Sequence, residues 1–410
     1  VKRATLIGGA ALAAGPASCG PGTPDRNAAN APGAAGSPAA PGSGGALPAI
    51  SPAAAPDKGK AIMVGSANAL PGLEKASRLL KQGSDPLEAV LAAIHVVEDD
   101  PNDVTVGYGG IPNEDGVVEL DAAVMDGATL RSGSVGALRS IRHPSSVARL
   151  VMERSDRVFL VGEGALRFAR AHGLAEEDLL TERTRKIWLY WKERLSGHDD
   201  WLDVAREADD PDIRWFIDKY GDEDFRPQGT VHISALAPAG TLVACTSTSG
   251  LFFKMAGRLG DSPVIGAGIY TDNVAGSCGS TGRGEATIAT CGSHTAVEFM
   301  RQGRSPEEAG LRELKRIVEG EKDPRHLFPD GRPRFDVKFY CINPRGAAAG
   351  VSIWGGARYA VHDGAHATLR DCASLFPRPP PPLCPPPGPP RGPPPAPPPP
   401  PPRAADDWAQ

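Results

Sequence analysis

The sequence predicts an α+β fold in which two helical layers flank stacked sheets. Three observations carry that expectation. Two helical hairpin signals of one plan occur in the two halves of the chain, and strand-like runs lie beside each of them. Two of those runs, VHISAL and TLVACTSTSG, flank the turn APAG and form a β-hairpin signal near the middle of the chain.

The first helical signal places Leu73, Ala76 and Leu80, then Leu87, Val90, Leu91, Ile94 and Val97, at helical spacing. Gly83 reads as the stop between them. Asp85-Pro86-Leu87-Glu88 then supplies an N-cap, a proline in the first turn and a glutamate at the third helical position. The second signal repeats the plan, with Gly303 as stop and Ser305-Pro306-Glu307-Glu308 as restart. His95 and His294 fall inside these helices and are expected to be packed or surface residues rather than ligands.

Strand-like runs are KAIMVGS, GVVELDAAVM, RVFLVG, TVHISAL, TLVACTSTS, VKFYCIN, AAGVSIW and ARYAVHD. Residues 176–228 differ from them. EEDLLTERTRKIWLYWKERL looks helical, with Trp188, Tyr190 and Trp191 as a face directed to the core, and the acidic stretch from Asp199 to Asp224 reads as an exposed, mobile connector.

The ends of the 410-residue chain are unlike its middle. Residues 1–56 are almost entirely Ala, Gly, Pro and Ser, and residues 377–410 are dominated by proline. Neither segment has enough apolar surface to offset chain entropy, so both are expected to be disordered or extended. VKRATLIGGAALAAGPASC resembles an export signal, with Cys19 as a candidate lipidated residue and membrane tether. That predicts a periplasmic or membrane-anchored protein. The net charge of −5, without a basic block, argues against nucleic-acid binding. The seven cysteines form no CxxC pair and match no metal template, so no metal or other cofactor is expected. Cys245, Cys291 and Cys341 lie in apolar runs and read as buried thiols.

At Gln228-Gly229-Thr230-Val231 the polar connector passes directly into a strand. A threonine hydroxyl is a poor nucleophile without a neighbouring base. A chain cut immediately before Thr230 provides one, because the freed α-amino group has a pKa near 7.7–8.0. Glycine before the cut tolerates a strained backbone and leaves its carbonyl open to attack. The Gly229-Thr230 dipeptide alone is also an ordinary start to a strand. Downstream, Arg258 and Asp261 lie three apart in GRLGD and suit the carboxylate and ammonium of an amino acid. Thr281-Gly282 offers a hydroxyl and a backbone N–H to a developing oxyanion. Taken singly, the two pairs read first as a surface ion pair and a glycine-rich turn.

The motifs QGTVHISAL, TSTSG, GRLGDSPVIGAG and STGRGE resemble the glycosylasparaginase family of N-terminal-nucleophile amidohydrolases. So do VGYGGIPNEDGVVELDAAVMDG, GSVGAL and HPSSVARLVME in the first half. The resemblance runs from about residue 60 to 376. It implies a four-layer αββα fold and a precursor that cuts itself into two chains, 57–229 and 230–376. It also implies that Thr230 is the nucleophile for self-cleavage and hydrolysis, and that Thr248 supports its reactivity. Arg258 and Asp261 would hold the substrate's α-carboxylate and α-amino groups. Thr281 with Gly282 would form the oxyanion hole, and Gly284 would line the pocket. The implied reaction splits the side-chain amide of asparagine or N4-glycosylated asparagine and releases aspartate. The implied assembly is a dimer of cleaved heterodimers.

Two departures stand out. Gly229 occupies a position where many members carry aspartate, although plant-type relatives have glycine. Ala67 and Asn68 stand near the place of an early tryptophan in glycan-processing members, and Asn68 is expected to contact substrate instead. An L-asparaginase or isoaspartyl peptidase uses the same site with another leaving group. A non-catalytic, surface-anchored protein whose proline-rich tail binds partners is the reading from a different class.

Overall fold

A computed structural model describes residues 59–195, 210–220 and 228–377, all within the compact unit Ile50–Gln410. Cys19, both low-complexity ends and most of the acidic connector lie outside the described residues.

Strands β1 (Ile62–Ser66), β2 (Leu120–Asp126), β3 (Ser132–Leu138) and β4 (Phe159–Val161) come from the first half. The second half begins with β5 (Gln228–Leu236), β6 (Leu242–Leu251), β7 (Ile269–Asp272) and β8 (Gly276–Gly282). It continues with β9 (Val337–Ile342), β10 (Ala348–Trp354), β11 (Arg358–His362), β12 (Ala367–Asp371) and β13 (Ala373–Phe376). Among the described residues these form an eight-stranded sheet, in the order β12-β11-β1-β5-β6-β2-β3-β4, and a five-stranded sheet, β13-β10-β9-β8-β7.

The helices are α1 (Leu70–Lys81), α2 (Pro86–Glu98), α3 (Pro144–Arg154), α4 (Gly162–Ala171), α5 (Glu182–Glu193) and α6 (Pro211–Tyr220). Then follow α7 (Gly284–Thr290), α8 (Gly292–Arg301) and α9 (Pro306–Gly320). Both predicted restarts occur as read. The Asp85 carboxylate accepts from Glu88 N–H at 2.9 Å and the Ser305 hydroxyl from Glu308 N–H at 3.1 Å. Gly83 and Gly303 both take positive φ, which releases the chain between the paired helices.

Alternation along β5 explains the layering. Val231, Ile233 and Ala235 join the core formed with α1, α2 and α3, while Leu236 packs with Val64, Tyr340 and Ile342 between the sheets. On the far side, α8 and α9 cover the five-stranded sheet through Val297, Met300, Leu314 and Ile317. Four layers result: helices, sheet, sheet, helices.

Several expectations are corrected. The segment 211–220, read as connector, is helix α6, which buries Ile213 and Phe216 and packs Phe216 against Phe252 and Phe253. Trp188 and Trp191 join that aromatic cluster as expected, and Trp191 stacks on Phe253 with 4.3 Å between ring centroids. Cys291 is exposed at a left-handed junction between α7 and α8, whereas Cys245 and Cys341 are buried. Strand β8, read as part of a glycine-rich turn region, needs small residues because it packs directly on β5. A Cβ at Gly279 would come within 2.1 Å of the His232 ring.

Candidate active site

The site forms where β5 begins, β6 ends, the 252–268 loop crosses and β8 ends. Gly229 pairs with Gly250, and Val231 with Ser247, so Thr230 alone faces both Thr248 and Ser249. This β-bulge breaks the ladder at Thr230 and frees polar groups there from sheet pairing.

The Thr248 hydroxyl donates to the Gly229 carbonyl at 2.5 Å, and the Gly250 N–H donates to the Thr248 oxygen at 2.8 Å. The amide therefore fixes the hydroxyl with its proton toward the carbonyl. That carbonyl belongs to the bond preceding Thr230, and its polarisation makes the carbon more electrophilic. The Thr230 hydroxyl is buried and lies 3.3 Å from the Ser262 hydroxyl.

Gly229 has no space for a side chain. A Cβ there would fall 2.4 Å from Thr105 Cβ and 2.5 Å from its Oγ1. Thr105 is held in turn, since its hydroxyl donates to Asp103 at 2.5 Å. Asn68 Nδ2 donates to the other Asp103 oxygen at 2.8 Å, and Ser66 Oγ donates to Asn68 Oδ1 at 2.6 Å. Asn68, expected to contact substrate, thus commits both ends of its amide to this brace and does not line the pocket. Ala67 and Asn68 lie in a single helical turn directly after β1.

The pocket lining contains Gly229, Thr230, Thr248, Gly250, Arg258, Gly260, Asp261, Ser262 and Gly282. Its volume is about 10 Å³, close to that of one water probe. Gly229 is part of its wall, and a space of this size holds no amino acid.

Arg258 reaches this pocket with its Nε and Nη2 donating to Glu285 at 3.1 and 2.8 Å. Burial acts to raise the Glu285 carboxyl, but Arg258, with a backbone hydrogen bond and Arg283, holds the group below its ordinary range. Asp261 is buried and accepts from the Ser280 hydroxyl. Burial pushes its carboxyl up, opposed by hydrogen bonds from Ser280 and Thr287 and by Arg258. Gly284 forms the wall behind Asp261, where a Cβ would come within 2.8 Å of the Asp261 nitrogen. Gly282 lines the pocket at φ +120°, while the Thr281 hydroxyl is turned to Tyr340 OH at 2.8 Å. The predicted oxyanion pair is therefore split here, with Gly282 facing the pocket and the Thr281 hydroxyl engaged beside it.

The first half supports the loop that carries Arg258. Buried Lys254 donates to the Glu119 carbonyl at 3.1 Å and lies 3.8 Å from the buried Asp121 carboxylate. Glu119 accepts the Gly257 N–H at 2.9 Å. His232, two residues after Thr230, lies between Thr246 at 2.7 Å and Ser234 at 2.8 Å. Burial lowers its pKa to about 3, so the ring is neutral at pH 7 and both nitrogens are already engaged. Both partners belong to its own sheet, the ring stacks on Tyr340 of the facing sheet at 6.1 Å between centroids, and it is no base for Thr230.

Sequence reasoning missed Ser262, Gly250, Glu285 and the Asp103–Thr105 brace. Ser262 follows Asp261 in the motif already singled out, so adjacency was its signal. Asp103 and Thr105 carried none, because only folding brings their loop to Gly229.

Residues 59–323 match the asparaginase family. The chain belongs to that family. Its members hydrolyse linear amides on an N-terminal-nucleophile hydrolase fold, and this chain is such a hydrolase. Over 291 residues it is 38% identical to the N(4)-(β-N-acetylglucosaminyl)-L-asparaginase of Elizabethkingia miricola, covering 70% of this chain and 77% of that protein. It is 39% identical over 252 residues to the isoaspartyl peptidase/L-asparaginase of Xenopus laevis, covering 60% of this chain and 74% of that one. The Bos taurus isoaspartyl peptidase/L-asparaginase is 39% identical over 248 residues, 59% of this chain and 73% of its own. Among the described residues no group of ligating side chains could hold a metal ion, and no helix is long and apolar enough to cross a membrane.

Proposed function

We propose that this asparaginase-family protein cuts itself between Gly229 and Thr230, and that the freed Thr230 hydrolyses the side-chain amide of N4-(β-N-acetylglucosaminyl)-L-asparagine or a related asparagine derivative. The observation that carries the reading is the 2.5 Å hydrogen bond from Thr248 to the Gly229 carbonyl, beside the hydroxyl that would attack it.

In the first reaction the Thr230 hydroxyl adds to the Gly229 carbonyl carbon. Collapse breaks the C–N bond, the Thr230 nitrogen takes up a proton, and an ester joins Gly229 to Thr230 Oγ. Water then hydrolyses the ester, leaving a Gly229 carboxylate and an N-terminal Thr230. Departure of the Gly229 end empties the space it fills in the uncut chain. A substrate carbonyl then takes its position, with Arg258 on the α-carboxylate, Asp261 on the α-ammonium and Gly282 N–H on the oxyanion. The Thr230 α-amine accepts the hydroxyl proton and passes it to the leaving amine. Aspartate leaves after water cleaves the acyl-enzyme.

An L-asparaginase or isoaspartyl peptidase is the second reading, favoured by the absence of room for an aspartate side chain at Gly229. Assaying glucosaminyl-asparagine, free asparagine and a β-aspartyl dipeptide side by side with the cleaved protein separates the two. Turnover of none of them by cleaved protein defeats both. The proposed assembly is a dimer of cleaved heterodimers, and the proposed location is outside the cytoplasm, tethered through Cys19. A non-catalytic surface protein would run as one uncut band on a denaturing gel.

A further inference from the structure

Cys278 on β8 and Cys341 on β9 face each other across adjacent antiparallel strands of the five-stranded sheet. They are direct register partners, and their sulfurs lie 3.4 Å apart with Cys341 donating to Cys278. Both side chains are wholly buried. Directly opposed residues of an antiparallel pair have Cα atoms about 4.5–5.5 Å apart, inside the roughly 4.4–6.8 Å span of disulfides. Bond formation therefore needs side-chain rotation but no change of strand register.

We propose that Cys278 and Cys341 are a disulfide site, closed by a thiol–disulfide oxidant such as an oxidoreductase disulfide or glutathione disulfide. Two S–H bonds break and one S–S bond forms. The two protons pass to solvent, and the two electrons reduce the oxidant's disulfide to a pair of thiols. The cysteines are 63 positions apart in sequence. The bond closes a loop containing α7, α8 and α9 and pins β8 three residues before Thr281. Because burial pushes the Cys278 thiol well above its ordinary range, closure belongs to folding, before the sheet is covered. Once formed, the bond is sealed from reductants.

The test uses wild-type protein made in an oxidising secretory compartment and, separately, in a reducing cytosol. Each sample is denatured without reductant, alkylated and digested. The secretory sample is expected to yield a linked peptide joining Cys278 to Cys341, with neither thiol alkylated. The cytosolic sample is expected to be alkylated at both. The oxidised protein should melt several degrees higher, and the difference should vanish in Cys278→Ala, whose Cys341 then becomes alkylatable. Full alkylation of Cys278 and Cys341 in the secretory sample overturns the proposal, as does pairing of either with another cysteine. None of these readouts depends on self-cleavage or on substrate.

Discussion

The Thr248 hydroxyl donates to the carbonyl of Gly229, the residue whose bond to Thr230 is proposed to break. Geometry thus places a polarising donor on that carbonyl in the folded chain itself. Removing that donor while keeping side-chain volume, as in Thr248→Val, should slow self-cleavage by about 100-fold or more, the usual cost of one oxyanion donor. Thr248→Ser should retain most of the rate. Time courses of precursor loss on a gel measure both, and an unchanged Val variant removes Thr248 from the mechanism.

Thr230→Ala should leave the chain uncut, and Thr230→Ser should cut more slowly than wild type. The second fragment of the wild-type protein should begin TVHIS by N-terminal sequencing. If the Ala variant is cut at the same bond, an external protease is responsible.

Gly229→Ala should impair cleavage, because its Cβ would fall 2.4–2.5 Å from the Thr105 side chain. Overlap of that size must move the scissile peptide away from Thr248. The double variant Gly229→Ala, Thr105→Gly removes the colliding atoms and should cleave faster than Gly229→Ala alone. Equal rates for the two would show that the contact does not control the geometry.

Arg258→Leu, studied in protein already cleaved, should lower kcat/KM by about ten- to a hundred-fold, as expected for a lost charged hydrogen-bonding fork. Arg258→Lys should recover part of this, because an ammonium keeps the charge without the fork. Equal hydrolysis of free asparagine and of asparagine blocked at both α-groups by the wild-type enzyme would refute the assignment.

Glu98 is wholly buried under the sheet, where it accepts from Ser247 at 2.6 Å and Ser145 at 2.9 Å. Burial pushes its carboxyl up to about 7, against those hydrogen bonds. The folded protein therefore holds this proton more tightly than the unfolded chain. The associated stability is complete below the unfolded pKa near 4.5, declines as pH rises from there, and is lost once pH passes about 7. The full effect is about 3 kcal/mol. Glu98→Gln should flatten melting temperature against pH in that window, and an undiminished slope would exclude Glu98 as its source.

The helix hairpins are written in the sequence, because their stops and caps are local. Gly83 and Gly303 release the chain, and Asp85 and Ser305 restart it, through contacts within a few residues. Most of the strands are written there too, since alternation such as Val231, Ile233 and Ala235 records a face that must be buried. Thr230, Arg258 and Asp261 are legible as residue types suited to one chemistry, Thr248 only through the family resemblance, and folding gathers all four around one pocket. How they are held depends on contacts between distant parts of the chain. The brace on Gly229 comes from Thr105 and Asp103, on a loop far away in the chain. Gly279 lies within a strand because the His232 ring fills the space a side chain would need. Asn68 turns to Asp103, and Arg258 is paired with Glu285 at the start of the following helix. Each of these is set by which atoms meet across layers, and short-range periodicity carries no record of such meetings.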